Sequence, residues 1–143
     1  MSARLSEIIE IYYYLIRIFN PKVFIYITIY SDKLEMTNVL TCKTLIKAST
    51  IPFSSNRLLI ANNIAIEKLG KEMLKELLNG KVNTNHLFLI LHPIEKEFTK
   101  LYPVEKIILN DFAQSIGGHS VQIIENITTK LSELELKRIA KTN

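Results

Sequence analysis

Three histidines, two aspartates and a single cysteine carry the sharpest chemistry in this chain, and their spacing bounds what they can do together. His86 and His92 fall on one face of a strand read over Asn85–Pro93. Six residues of strand separate them by about 20 Å, too far to share a metal whose donors stand at about 2 Å. His119 follows Gly117-Gly118 at what reads as a helix start, where backbone N–H groups can meet an anion. The spacing of GGHS matches no phosphate loop, however, and a turn with an N-cap accounts for it. Asp32 sits in a hairpin turn and Asp111 after a strand. Glu95 and Glu97 alternate with lysines and have no visible partner. Cys42, near a strand end, has no identifiable base to activate its thiol. No GxxxxGKS, GxGxxG, HExxH, CxxC or GxSxG pattern occurs. No catalytic residue, cofactor or metal site is therefore expected, and a non-enzymatic role is.

The elements that would position any site follow from periodicity. Ala3–Phe19 reads as an amphipathic helix with Leu5, Ile8, Ile9, Tyr12, Leu15, Ile16 and Phe19 on one stripe. Asn20-Pro21 stops it, because proline disfavours helical geometry in the residue before it. The period then becomes two. Val23–Tyr30 puts Val23, Ile25, Ile27 and Ile29 on one face and Phe24, Tyr26, Thr28 and Tyr30 on the other, as in an interior strand covered on both sides. Ser31-Asp32-Lys33 is a tight turn, and Leu34–Thr41 the returning strand. Lys43–Thr50 is open between a strand end and a helical turn.

Ile51–Gly80 holds the longest helix read from the sequence, with an N-cap among Ser54, Ser55 and Asn56 and a left-handed stop at Asn79-Gly80. Two apolar lines run along it, Leu59, Ile66, Leu69, Met73 and Leu77 beside Ile60, Ile64, Leu74 and Leu78, where covering one sheet face needs about one. The surplus points to a second surface to bury. Asn85–Pro93 is a second strand apolar on both faces. Glu95–Tyr102 is open between an outer strand and two helical turns, Val104–Leu109 reads as a short strand, and a last helix is read from Ser120 to about Ala140.

Together these give a single α/β domain over residues 1–143, in the order α-β-β-α-β-β-β-α. The expected architecture is a three-layer sandwich around a mostly antiparallel sheet of about five strands, with the central helix on one face and the terminal helices on the other. The hydrophobic fraction of 48% and charged fraction of 22% are those of a globular chain. No apolar run reaches the length of a membrane span, and no signal peptide is read. One cysteine fits a reducing compartment, so a cytoplasmic location is expected. The formal charge of +4 comes from lysines interleaved with glutamate rather than clustered, which disfavours a nucleic-acid footprint.

The run LSEIIEIYYYLIRIFNPKVFIYITIYSDKLEMTN, with the central helix, the following strands and the glycine-preceded last helix, resembles the Roadblock/dynein-light-chain family and its small-GTPase regulators of the MglB type. The hairpin departs from the family's frequent Asp-Gly turn, reading Asp32-Lys33 here. The resemblance implies a dimeric scaffold, pairing with itself or a related subunit, and regulation of a small Ras-like GTPase. Its interface would use Leu59, Asn63, Ile66 and Met73 of the central helix with Leu87, Leu89 and Leu91 of the next strand. KTLIKAS, IAIEKLG and LELKRIA also resemble, in order, a small subunit of the KEOPS tRNA-modifying complex, which implies a nucleic-acid-associated accessory role as the alternative.

Overall fold

A computed structural model describes residues 7, 8, 11, 22–82, 86–98 and 100–143. The helix expected over Ala3–Phe19 lies outside them except for Glu7, Ile8 and Ile11, which are helical. Strands β1 (Lys22–Tyr30), β2 (Lys33–Asn38) and β3 (Thr44–Ala48) come first, followed by α1 (Asn63–Leu77) and β4 (His86–Pro93). A 3-10 turn at Lys96–Phe98 precedes α2 (Pro103–Ser115), β5 (Ser120–Ile123) and α3 (Glu133–Thr142). The five strands make one sheet in the order β3-β2-β1-β4-β5.

Half of the expected strand polarity is corrected. β1, β2 and β3 form an antiparallel meander, but β1 pairs parallel with β4 and β4 parallel with β5. The sheet is mixed, and the element order differs from the one expected. Lys43–Thr50 resolves as strand β3. Glu95–Tyr102 contains only the 3-10 turn. Val104–Leu109 belongs to helix α2, and Ser120 opens strand β5 rather than the last helix. The corrections at α2 and β5 have local causes. Pro103 occupies the first turn of α2, where its fixed φ and missing N–H suit a helix start. Glu105 Oε2 accepts from Tyr102 N–H at 3.2 Å, closing the amino end. Ile108, Leu109, Phe112, Ala113 and Ile116 then repeat at helical spacing along the side of α2 that joins the core. β5 has only four residues, all half-buried, too few for periodicity to separate strand from helix.

The two faces of the sheet carry different contents. Ile25, Ile27, Ile29, Leu34, Met36, Leu87, Leu89 and Leu91 point to the face covered by α1 and α2 and form the main core with them. Tyr26, Val39, Phe88 and Ile90 point to the opposite face, where Leu136 of α3 covers them with Ile139 and Ala140. Helices therefore pack on both faces, which is why β1 and β4 are apolar on both sides.

The surplus apolar surface of the central helix has its partner inside the chain. Both lines along it are buried except Ile64, which stays exposed. One face of α1 meets the sheet and the other meets α2. Gly70 marks the crossing: a Cβ there would stand 3.0 Å from both Phe112 and Ile116, so the missing side chain lets the helices approach. Its helix begins later than expected, at Asn62, whose Oδ1 caps Ala65 N–H at 3.1 Å. None of Ser54, Ser55 and Asn56, the expected cap candidates, caps it, and Ser54 is committed elsewhere, since Asp32 Oδ1 accepts from the N–H groups of Phe53 and Ser54 and from the Ser54 hydroxyl, each at 2.8 Å. Those bonds hold the Asp32 carboxyl below its ordinary pKa and fasten the segment before α1 to the β1–β2 turn. Asn79 and Gly80 end the helix with positive φ, as expected.

Candidate functional site

In open α/β sheets, ligands bind outside the carboxyl ends of parallel strands, where the chain's direction across the sheet reverses. Here the chain leaves β1 towards β2 and β3 and returns on the other side at β4. The carboxyl ends of β1 and β4 therefore mark the place to search.

A buried polar row lies there, on the α3 face. Thr28 of β1 stands in register with Glu35 of β2 on one side and His92 of β4 on the other. Thr28 and His92 are fully buried and Glu35 is nearly so, a placement side chains of these types rarely take without partners. Tyr26, one step back on the same face of β1, meets His92: its phenol oxygen is 2.5 Å from Nδ1. Leu131 N–H donates to that phenol oxygen at 3.0 Å. His92 Nε2 lies 2.7 Å from the Ile127 carbonyl oxygen, which can only accept. The directions settle the tautomer. His92 carries its proton on Nε2 and donates it to Ile127, while the Tyr26 hydroxyl donates to Nδ1. Burial lowers the His92 pKa, against a smaller opposing effect of the Ile127 carbonyl. Burial likewise raises the Tyr26 pKa, with the Leu131 N–H pulling the other way. Both groups are held neutral.

At the other end of the row, Lys130 Nζ stands 2.6 Å from Glu35 Oε1. This contact raises the Lys130 pKa. Tyr30 hydroxyl reaches Glu35 Oε2 at 3.4 Å, and its own pKa is raised first by burial and then by that carboxylate. Thr28 Oγ1 is buried on the same face of β1 as the Tyr26 phenol and makes no hydrogen bond of good geometry among the described residues. A cavity of about 220 Å³ opens beside this row, lined by Tyr26, Thr37, Cys42, Lys130 and Leu136 among others. Three partners of the row, Ile127, Lys130 and Leu131, come from the segment between β5 and α3. The arrangement fastens that segment to the sheet and so sets where α3 begins.

The other residues singled out by type lie apart from this row. His86 shares its face of β4 with His92 but sits at the amino end, stacked on His119 with ring centroids 4.8 Å apart. His119 precedes β5 instead of a helix, and its Nδ1 accepts from Leu87 N–H at 3.1 Å. Burial, then the neighbouring His119 and Lys22, lower the His86 pKa. Glu95 Oε1 accepts from Ser31 N–H at 3.1 Å, and so supports the hairpin turn. Asp111 is exposed on α2. Cys42 is exposed in the β2–β3 turn with φ of 62°, 3.4 Å from Glu133 Oε1; that hydrogen bond raises its pKa.

Of the seven residues that the family resemblance placed at an interface, six are side chains of the chain's own core: Leu59, Ile66, Met73, Leu87, Leu89 and Leu91. Asn63 alone is exposed. β4, moreover, is flanked by β1 and β5, so its backbone hydrogen bonds are already used and it offers no edge for a partner strand. The sheet's edges are β3 and β5.

Sequence reasoning missed the row itself. Its signal was present in Thr28 and His92, polar residues at inward positions of two strands otherwise apolar on both faces. What linked them, the parallel pairing of β1 with β4, is absent from any local pattern. Among the described residues no helix is long and apolar enough to cross a membrane, and no group of three or more His, Cys, Asp or Glu is placed to hold a metal. Compared with protein-family models and with curated proteins, the sequence matches none.

Proposed function

We propose that this chain is a non-catalytic interaction module that works as a pair of identical copies, meeting through the outer stripe of α2. The observation that carries this reading is the exposure of Tyr102, Val104 and Ile107, each about 60% accessible, along the first turns of that helix. Leu58 is exposed too, and lines a depression with half-buried Leu101 and Ile108. Apolar and aromatic side chains gathered in one patch are characteristic of association surfaces, whereas single exposed apolar residues need no explanation. The stripe also has complementary ends. Lys100 precedes it and Asp111 follows Ile107 by one turn, and both are exposed. Two copies packed antiparallel about the turn between Val104 and Ile107 bring Lys100 of each towards Asp111 of the other, so opposite charges flank an apolar centre.

The polar row supports the non-catalytic half of the reading. Its single carboxylate is paired with Lys130, and its histidine has both ring nitrogens engaged, so neither presents a free base to a substrate. Sedimentation velocity at tens of micromolar tests the proposal. The wild-type chain is expected to sediment as a dimer and Ile107→Glu as a folded monomer, with Ile64→Glu, an exposed change on α1, leaving the dimer intact. A strict wild-type monomer, or a dimer indifferent to Ile107→Glu, overturns it.

A further inference from the structure

A second cavity, unconnected with the α2 stripe, lies between the amino end of β1, the end of β2 and the last turns of α3. Its volume is about 370 Å³, within the range of small-molecule sites. Its walls are Phe24, Val39, Leu40 and Ala140, and its mouth carries Lys22, Lys137 and Lys141. Among the described residues that line it there is no Asp or Glu side chain. Leu40 is the most exposed large apolar side chain among the described residues, at 85%, and stands on the rim. Apolar walls under a ring of one charge sign are an uncommon combination on a surface where lysine is otherwise interleaved with glutamate.

The three cations differ in how they are held. Lys22 Nζ donates to a main-chain oxygen of Asn143 and lies 5.7 Å from the ring centroids of both Phe24 and Phe88. This keeps a positive charge over the apolar floor. Lys137 pairs with Glu133 one turn back, 2.7 Å away, in an exposed contact that is weak enough to be exchanged for a ligand. Lys141 is exposed and forms no ion pair among the described residues. It also sits in the last turn of α3, where a cation is favoured by the helix dipole.

We propose that this cleft binds a small amphipathic anion, a carboxylate or phosphate monoester on a short alkyl chain. The chain would lie against Phe24, Val39, Leu40 and Ala140 and the headgroup would reach Lys141 and Lys137. The walls supply the hydrophobic contribution, which grows with each methylene buried. The lysines select the sign of the headgroup, because the same walls offer nothing to compensate a cation brought beside three others.

Titration of the full-length protein with decanoate, decanol and decylammonium, followed by amide NMR and calorimetry, tests this directly. Decanoate is expected to bind saturably at one site and to shift the amides of Phe24, Val39, Leu40 and Ala140, with decanol weaker and decylammonium weakest. Lys141→Glu, an exposed change, should weaken decanoate roughly tenfold, the effect of reversing one close charge, without altering the circular dichroism of the protein. Equal binding of the three amphiphiles, shifts located elsewhere, absence of saturation in the millimolar range, or indifference to Lys141→Glu each overturns the proposal. Binding to phosphatidylglycerol vesicles without binding of free decanoate also overturns it, by assigning the lysines to a membrane surface.

Discussion

The Tyr26 phenol and the His92 imidazole meet at 2.5 Å across two strands that lie 66 residues apart in the chain. The segment between β5 and α3 engages both: Leu131 N–H donates to the same phenol oxygen, and the Ile127 carbonyl accepts from His92 Nε2. One hydrogen-bonded chain thus joins the centre of the sheet to the segment that launches the last helix. In a buried setting such a chain contributes less by its net strength than by the cost of interrupting it.

Tyr26→Phe interrupts it with little change of shape. The substitution leaves His92 Nδ1 and Leu131 N–H without partners in a buried site, which costs about 1–3 kcal/mol. Urea denaturation should show that loss. Hydrogen exchange should locate it, with the amides of Leu131 and the first turn of α3 exchanging faster while those of β1 and β4 stay protected. Uniform acceleration across the sheet would mean that the bond supports the whole core and is not a local fastening.

The same chain predicts how stability depends on pH. Burial places the folded-state pKa of His92 below its ordinary value near 6.5. Between those two values the unfolded chain binds a proton that the folded chain does not, so stability rises with pH through this window. The contribution is fully present above about pH 6.5 and is lost as the pH falls towards the folded-state value. His86 is lowered in the same sense. Thermal melts from pH 8 to pH 5 should therefore show a falling midpoint, and His92→Gln should flatten the fall while leaving the part due to His86. An unchanged slope in that variant would show that His92 can be protonated without disturbing the fold.

Glu35 and Lys130 are one ion pair with unequal members. The carboxylate is buried, with 9% of its side chain accessible, while 47% of the lysine side chain is open to water. Removing the lysine leaves a buried charge without its partner, whereas removing the carboxylate releases a lysine that water can solvate. Lys130→Met should accordingly cost about 2 kcal/mol and Glu35→Gln about 1 kcal/mol or less. Chemical denaturation of the two variants gives the comparison, and equal losses would indicate that the pair opens freely to solvent.

Much of the fold was legible where a single local rule applied. The alternation of Val23–Tyr30 and the apolar content of Asn85–Pro93 identified the two interior strands, because residues on both faces of a covered strand are mostly apolar. Asp32 and Asn79-Gly80 identified a turn and a helix end, because few residues tolerate positive φ. The sequence also showed, through the two apolar lines of the central helix, that α1 must bury two surfaces. Which surfaces these are was decided by tertiary structure. α2 supplies the second one, meeting α1 at Gly70, so apolar content that resembled a partner interface belongs to the core. Strand polarity was decided at the same level. Pairing β1 parallel with β4 depends on where a long connection returns, and no window of neighbouring residues encodes that. The polar row exists only through that pairing, because Tyr26 and His92 become neighbours when β1 and β4 do. The sequence by itself therefore determined the two interior strands, the hairpin turn at Asp32 and the end of the central helix, all short-range consequences of side-chain chemistry. Which buried residues meet, and so where a site can form, was decided by the long-range packing of the sheet.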